Sequence, residues 1–228
     1  MVSRMKGPRA LIPAALIAAL IAVGWQPAPV AMASSVNDIF SDGFESGSVS
    51  AWNGGSAINT SVETTTVHSG GDAAEADVSN AAASAHKSLP STYGTIYMRA
   101  WFRLASSSTN VSLLSPRTAS NSAILHLYVD HATGKLGLRN DVTLTNRALA
   151  STVSPNTWHS VEIKVVVNPT GGVTQVWLDG VDQTSLDSTT DNLGSVNVGD
   201  VLIGDTNNTR TFHASWDDVA VADARIGS

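Results

Sequence analysis

The clearest pattern in the chain is alternation. In "GTIYMRAWFRLA", Ile96, Met98, Ala100, Phe102 and Leu104 share one parity, and Tyr97, Arg99, Trp101 and Arg103 share the other. Side chains of a strand point alternately to its two faces, so this segment predicts a long strand with one buried face. "SAILHLYVDH" sets Leu125, Leu127 and Val129 against Ile124, His126, Tyr128 and Asp130, and "WHSVEIKVVVN" predicts Val161, Ile163 and Val165 inward with Ser160, Glu162 and Lys164 outward. "GGVTQVWLDG", "DVLIGD" and "TFHASWDDVAVAD" predict three further strands. In the last of these Trp216 keeps register with Phe212 and Ala214, whereas Val219 has the opposite parity. Both face the core only if a bulge intervenes near Asp217 and Asp218.

The connectors "HATGK", "NPTGG" and "LDGVD" carry Gly or Pro where tight turns need them. The one Ala-rich piece, Asp72 to Ala85, lacks a stripe at helical spacing. Short strands joined by such turns predict an all-β protein, an antiparallel β-sandwich. The missing helices exclude an open parallel α/β sheet, and no fixed-period repeat points to a propeller or solenoid.

The first 33 residues stand apart. Arg4, Lys6 and Arg9 precede an apolar run from Ala10 to Val23, followed by Pro27, Pro29 and Ala31-Met32-Ala33. That order predicts a secretory signal peptide cleaved after Ala33, because the run is shorter than the roughly 20 residues a spanning helix needs. A single domain is expected over 34–228, secreted to the extracellular space and monomeric. Removing three of the 13 basic residues leaves 10 against 19 acidic ones, a charge of 10 − 19 = −9. Such a balance argues against nucleic acid or an anionic membrane as partner, and against a polyanionic ligand unless positive charge is concentrated locally. Cysteine is absent, so no disulfide supports the core.

The order "DGFESGSVSAW", "VHSGGDAA", "IYMRAWFRL", "NTWHSVEIKVVV", "VWLDG" and "WDDVAVA" resembles the concanavalin A-like (laminin-G-like) jelly-roll domains of secreted bacterial proteins. The resemblance runs from Asp38 to Gly227. It implies two curved antiparallel sheets with a concave face on which relatives bind sugars, and a polysaccharide or glycan as partner. Fold alone leaves enzyme, lectin and structural module open, so function has to come from the sites.

Retaining glucanases of this fold carry Glu-x-Asp-x-x-Glu on one strand, and a glycosidase needs two carboxyl groups close together. The four Glu here, Glu45, Glu63, Glu75 and Glu162, do not form that motif. A serine hydrolase elbow, Gly-x-Ser-x-Gly, is also missing. Jelly-roll alginate lyases carry Arg-x-x-x-Arg on one strand and Gln-x-His on a later one. Arg99 and Arg103 with His126 and Tyr128 are similar, but Ile124 stands at the Gln position and no Tyr-x-Lys-x-Gly-x-Tyr follows. Tyr97, Arg99, Trp101 and Arg103 form a polar-aromatic face suited to stacking and hydrogen-bonding sugars, which His126 and Tyr128 would extend. The expectation is a non-catalytic carbohydrate-binding module, with a lyase acting on an acidic glycan or a structural surface domain as alternatives.

Several relatives hold one structural calcium ion where the first and last strands meet. The resemblance places its ligands at Glu45, the Gly70 turn, Asp217 and Asp218, with Gly43 standing where the family often has Asp. Calcium prefers six to eight oxygens from carboxylates, carbonyls and water, which that set begins to supply. Phe40 and Phe44 are expected to anchor an opening strand.

Overall fold

The computed structural model describes residues 1–2, 37–54 and 60–228. The leader read at residues 1–33 lies outside the described residues, Met1 and Val2 aside. Among the described residues fifteen strands follow in chain order: β1 (Asp38–Asp42), β2 (Ser61–Glu63), β3 (Ala73–Val78), β4 (Ala83–Tyr93), β5 (Thr95–Ser107), β6 (Val111–Thr118), β7 (Leu125–Val129) and β8 (Leu136–Asn140). They continue as β9 (Thr145–Asn146), β10 (Trp158–Val166), β11 (Gly172–Leu178), β12 (Val181–Asp182), β13 (Ser188–Asp191), β14 (Val198–Asp205) and β15 (Phe212–Ala222). All belong to one compact unit, Ser34–Ser228.

The strands form two antiparallel sheets. The larger has the order β12-β11-β10-β5-β15-β3-β2, with β1 also on β15 and β13 also on β11. The smaller has the order β4-β14-β6-β7-β8-β9. Ile96, Met98, Ala100 and Phe102 of β5 are fully buried, as are Val161, Ile163 and Val165 of β10, and they meet Leu113, Leu114, Leu125, Leu127, Leu136 and Ile203 of the smaller sheet. Burying each large apolar side chain contributes about 1.5–3 kcal/mol. The two alternating faces of β5 therefore become the core and one outer surface of the sandwich.

Local chemistry fixes several joints. Asp179 (φ 52°) and Gly180 (φ 75°) both adopt left-handed backbone between β11 and β12. A two-residue hairpin turn of that twist favours Asp-Gly. On β15 the partner register shifts between Asp217 and Ala220, and Asp218 has a φ of 46°. The bulge lets both Trp216 and Val219 face the core, each about 1% exposed. The Ala-rich segment supplies β3 and the start of β4, and Ala74, Ala76, Ala83 and Ala85 join the same core cluster as the larger apolar groups of β5 and β15.

Two expectations change. Phe44 is not part of the opening strand: β1 ends at Asp42, and Phe44 sits in a turn at φ 61°, fully buried and stacked on Trp52. Asp42 holds that turn by accepting the Phe44 N–H (2.9 Å) and the Trp52 indole N–H (2.8 Å). Ser160 and Glu162 point away from the core as their parity requires, yet each is only 3% exposed. Asp179 covers Ser160, and the C-terminal segment covers Glu162, whose carboxylate accepts the Ile226 and Gly227 N–H groups at 2.8 and 3.0 Å.

Hydrogen bonds to a buried charge are worth more than neutral ones, and removing the acceptor strands two backbone donors. Glu162→Ala is therefore expected to lower the unfolding free energy by about 2 kcal/mol, measured by urea denaturation, and to speed amide exchange at Ile226 and Gly227. Unchanged stability and exchange would show that the carboxylate does not tie this segment down.

Candidate functional site

The six residues expected to share a groove lie on two opposite faces. Tyr97, Arg99, Trp101 and Arg103 project from the outer side of the larger sheet, because their β5 neighbours fill the core. His126 and Tyr128 project from the outer side of the smaller sheet, with Leu125, Leu127 and Val129 inward. The arginines of β5 therefore cannot act with His126 and Tyr128 in the way the lyase comparison expects.

The β5 face is overlain. Arg99 donates to the carbonyls of Gly227 (3.0 Å) and Asp218 (3.3 Å). His68 stacks on Trp101 with ring centres 3.7 Å apart, and Trp158 meets His68 edge-on. Tyr97 packs beside Trp177, which in turn carries the Arg225 guanidinium over its ring at 4.5 Å. Arg103 donates to Asn156. Two segments, the loop around His68 and the chain after Asp223, thus occupy much of the surface that alternation leaves polar and aromatic.

The outer face of the smaller sheet carries an open groove. Cross-strand pairing sets His126 opposite Arg139, Tyr128 opposite Gly137, and Arg139 opposite Asn146. His126 Nδ1 lies 2.8 Å from Asp141 Oδ2, and Arg139 Nε lies 3.3 Å from Asp141 Oδ1. A carboxylate accepts only, so the hydrogen bond to Asp141 is donated by Nδ1. A Cβ at Gly137 would run into the Tyr128 ring, so this glycine lets the ring lie flat against β8. Two cavities, of about 300 and 230 Å³, adjoin through Ser112, His126 and Arg210. The first adds Asn110, Tyr128, Arg139 and Asn146, and the second adds Arg117 and Asp141.

Sequence reading missed Arg117, Arg139 and Arg210. The signal present in the sequence was parity: Arg139 alternates with Leu136 and Leu138 of its own strand. Arg210 lies in the β14–β15 connection, where no periodicity places it. Burial raises the Tyr128 phenol above its ordinary value, with Asp130 adding to the shift and Arg139 opposing it.

The residues proposed as a clasp do come together. The Glu45 carboxylate accepts the N–H of Gly71 (3.0 Å to Oε2) and of Asp72 (3.3 Å). Gly70 has a φ of 63°, and a Cβ there would collide with the Glu45 carboxylate. Asp217, fully buried, accepts the N–H groups of His68 (2.9 Å), Ser69 (3.1 Å) and Asp218 (2.7 Å). Asp218 meets His68 Nδ1 at 2.7 Å and the Ser69 hydroxyl at 3.0 Å. Burial pushes the Asp217 carboxyl upward, its three N–H donors oppose this, and Asp218 adds to the rise. Around Gly43, an ideal Cβ would be 3.5 Å from Asp218 Oδ1, 3.9 Å from Asp217 Oδ1 and 3.9 Å from the Glu45 side chain. Among the described residues, ligand atoms of His68, Asp217 and Asp218 lie within 4.8 Å of one another, a donor set compatible with a divalent cation. Glu45 instead brings its Cγ toward Gly43 and turns its carboxylate to the Gly71 and Asp72 N–H groups. His68 and Ser69 are members of this cluster that sequence reading left out.

No protein-family model matches the chain. No curated protein matches it either. Solved structures of similar fold are numerous. The "Cellulose induced protein, Cip1" has a TM-score of 0.63 at 19% identity, covering 83% of this chain and 99% of that one. A carbohydrate esterase from the Shiga toxin-encoding bacteriophage phi24B has a TM-score of 0.59 at 15% identity, covering 83% and 100%. The alginate lyase Aly36B, in complex with an alginate trisaccharide, has a TM-score of 0.50 at 12% identity, covering 76% and 87%. At these identities the likeness establishes the jelly-roll β-sandwich.

The position of Tyr128 has a measurable consequence. Its folded-state phenol holds the proton more tightly than the unfolded one, so the associated stability is intact below the ordinary value of 10.0 and falls as pH rises through the folded-state value. Ultraviolet titration is expected to show a late-ionising phenol that Tyr128→Phe removes. A phenol at this position titrating at or below the ordinary value would contradict the geometry.

Proposed function

We propose that this chain is an exported carbohydrate-binding protein that holds a polysaccharide in the groove on the outer face of the smaller sheet. The observation that carries the reading is the pair of adjoining cavities joined at Ser112, His126 and Arg210. Sugar chains are bound by rings that stack on C–H faces and by fixed polar groups that bond hydroxyls. Tyr128 and His126 supply the rings, 5.8 Å apart, and Asn110, Asn146 and the arginines supply the polar groups. Support from the comparisons is at the level of class: the similar folds include an esterase of carbohydrates and a lyase holding an alginate trisaccharide. Within that class, the sequence resemblance favours the concanavalin A-like branch. The secretory leader, read from Arg4 to Ala33, supplies the extracellular setting.

A pull-down on insoluble and soluble polysaccharides tests this directly. Tyr128→Ala removes the largest ring of the groove and is expected to weaken binding by about tenfold, the scale of an aromatic stacking contact with its buried area. Trp101→Ala lies on the opposite face and is expected to leave binding unchanged. Loss of binding with Trp101→Ala but not with Tyr128→Ala would move the site to the other sheet.

We further propose that the clasp at Glu45, Gly70, Asp217 and Asp218 holds one structural calcium ion. The three carboxylates and the Gly70 carbonyl would be its protein ligands, and the ion would offset the burial of Asp217 and its repulsion by Asp218. Binding that favours the folded state raises apparent stability. A chelator is expected to lower the melting temperature and added calcium to restore it, whereas Asp218→Asn should melt alike under both conditions. An unchanged melting temperature in the chelator sinks the assignment.

A further inference from the structure

Three guanidinium groups border the groove, and each is held through its Nε. Arg117 uses Nε on the Asn121 carbonyl (3.1 Å) and side chain (2.6 Å), with Nη2 also on that carbonyl. Arg139 places Nε 3.3 Å from Asp141 Oδ1 and donates from Nη1 to Asn146. Arg210 donates from Nε to Asp205 Oδ2 at 3.0 Å. Among the described residues, Arg117 Nη1, Arg139 Nη2 and both terminal nitrogens of Arg210 have no partner. A guanidinium presents five N–H donors in a fixed fork, more than one partner consumes. These three are gripped from the side and keep donors unused.

The acidic partners are withdrawn from the groove. Asp205 has 3% of its side chain exposed, and it accepts from Ser112 N–H, Asn207 N–H and Arg210. Asp141 is 16% exposed and engaged by His126 and Arg139. Arg139 and Arg210 remain 33% and 25% exposed. A ligand entering the cavities therefore meets cationic tips, in a chain whose overall charge is −6. The lining counts three arginines against Asp141 and Asp205, a formal 3 − 2 = +1 on an otherwise acidic protein, with the arginine tips the more exposed, and it attracts anions over short range.

We infer that the groove selects an anionic polysaccharide, its carboxylate or sulfate groups received by the free ends of Arg210, Arg139 and Arg117. The inference rests on the proposed reading of the groove as a glycan site. Side-on anchoring fixes each fork before the ligand arrives, which lowers the entropy cost of bidentate recognition. The neutral hydroxyls of the same polymer then fall to Asn110 and Asn146.

The test uses matched polymers: sodium polygalacturonate, the same polymer with its carboxyl groups reduced to alcohols, and a sulfated galactan. Binding is measured by calorimetry at about 20 and about 200 mM NaCl. Polygalacturonate, the sulfated galactan or both are expected to bind at least tenfold more tightly than the reduced polymer, and to weaken at the higher salt. Arg210→Gln and Arg139→Gln are each expected to weaken anion binding about tenfold, the scale of a charge-assisted hydrogen bond. Arg210→Lys, which keeps charge without the fork, should fall between. Melting curves identify any variant that is misfolded, in which case the other substitution decides the outcome. Equal affinity for the acidic and reduced polymers, or anion binding untouched by both Gln variants, overturns the inference and leaves the glycan reading standing. Binding to no polymer, acidic or neutral, overturns both.

Discussion

The structure depends on how β15 passes Asp217 and Asp218. In a regular strand, residues three apart lie on opposite faces, so Trp216 and Val219 would compete for the core. One extra residue resolves the conflict and puts both inside. The same irregularity marks where one edge of β15 changes partner, from β3 up to Trp216 to β1 from Val219. It also turns two carboxylates toward Gly43 and the loop at His68 and Ser69. The core, the joining of the two ends of the domain and the candidate ion clasp thus follow from a single backbone adjustment.

The two outer faces have diverged under different constraints. On the larger sheet, buried Glu162 and the β5 residue Arg99 tie down the segment after Asp223, while His68 seals Trp101. On the smaller sheet a groove remains beside His126 and Tyr128, although Tyr128 itself is only 9% exposed. The His126–Asp141 contact is not by itself a mark of catalysis. His68, His86, His159 and His213 also pair with a carboxylate, at 2.7–2.9 Å. Pairing imidazoles with acids is the general habit of this acidic chain. What distinguishes the His126 environment is the set of arginines around it.

Most of the fold was legible because two-residue periodicity reports which side chains face the core. β5, β10 and the β11–β12 turn follow from Ile96 to Leu104, Val161 to Val165 and Asp179-Gly180, and the bulge follows from the parity clash of Trp216 and Val219. β3 and β4 were obscure, since alanine marks neither face strongly. Periodicity also says that a residue leaves the core without saying what waits outside. Glu162 and Trp101 satisfy the outward parity and are still covered, by segments 64 and 33 residues away in sequence (226 − 162 and 101 − 68). For the same reason the groove could not be assembled from strand patterns: Arg210 reaches it from a connection, and Tyr97 to Arg103 proved to belong to the other side of the sandwich.

The position of β15 also sets the order of assembly. It is the last strand in the chain, yet it stands inside the larger sheet, between β5 on one edge and β3 with β1 on the other. Asp42 pairs with Val219, so closing that contact spans 177 residues (219 − 42). Pairings over such separations are slow and cannot begin until both partners exist. A growing chain holds β1, β3 and β5 without the strand that joins them, so the larger sheet cannot close across β15 until residues 212–222 are present.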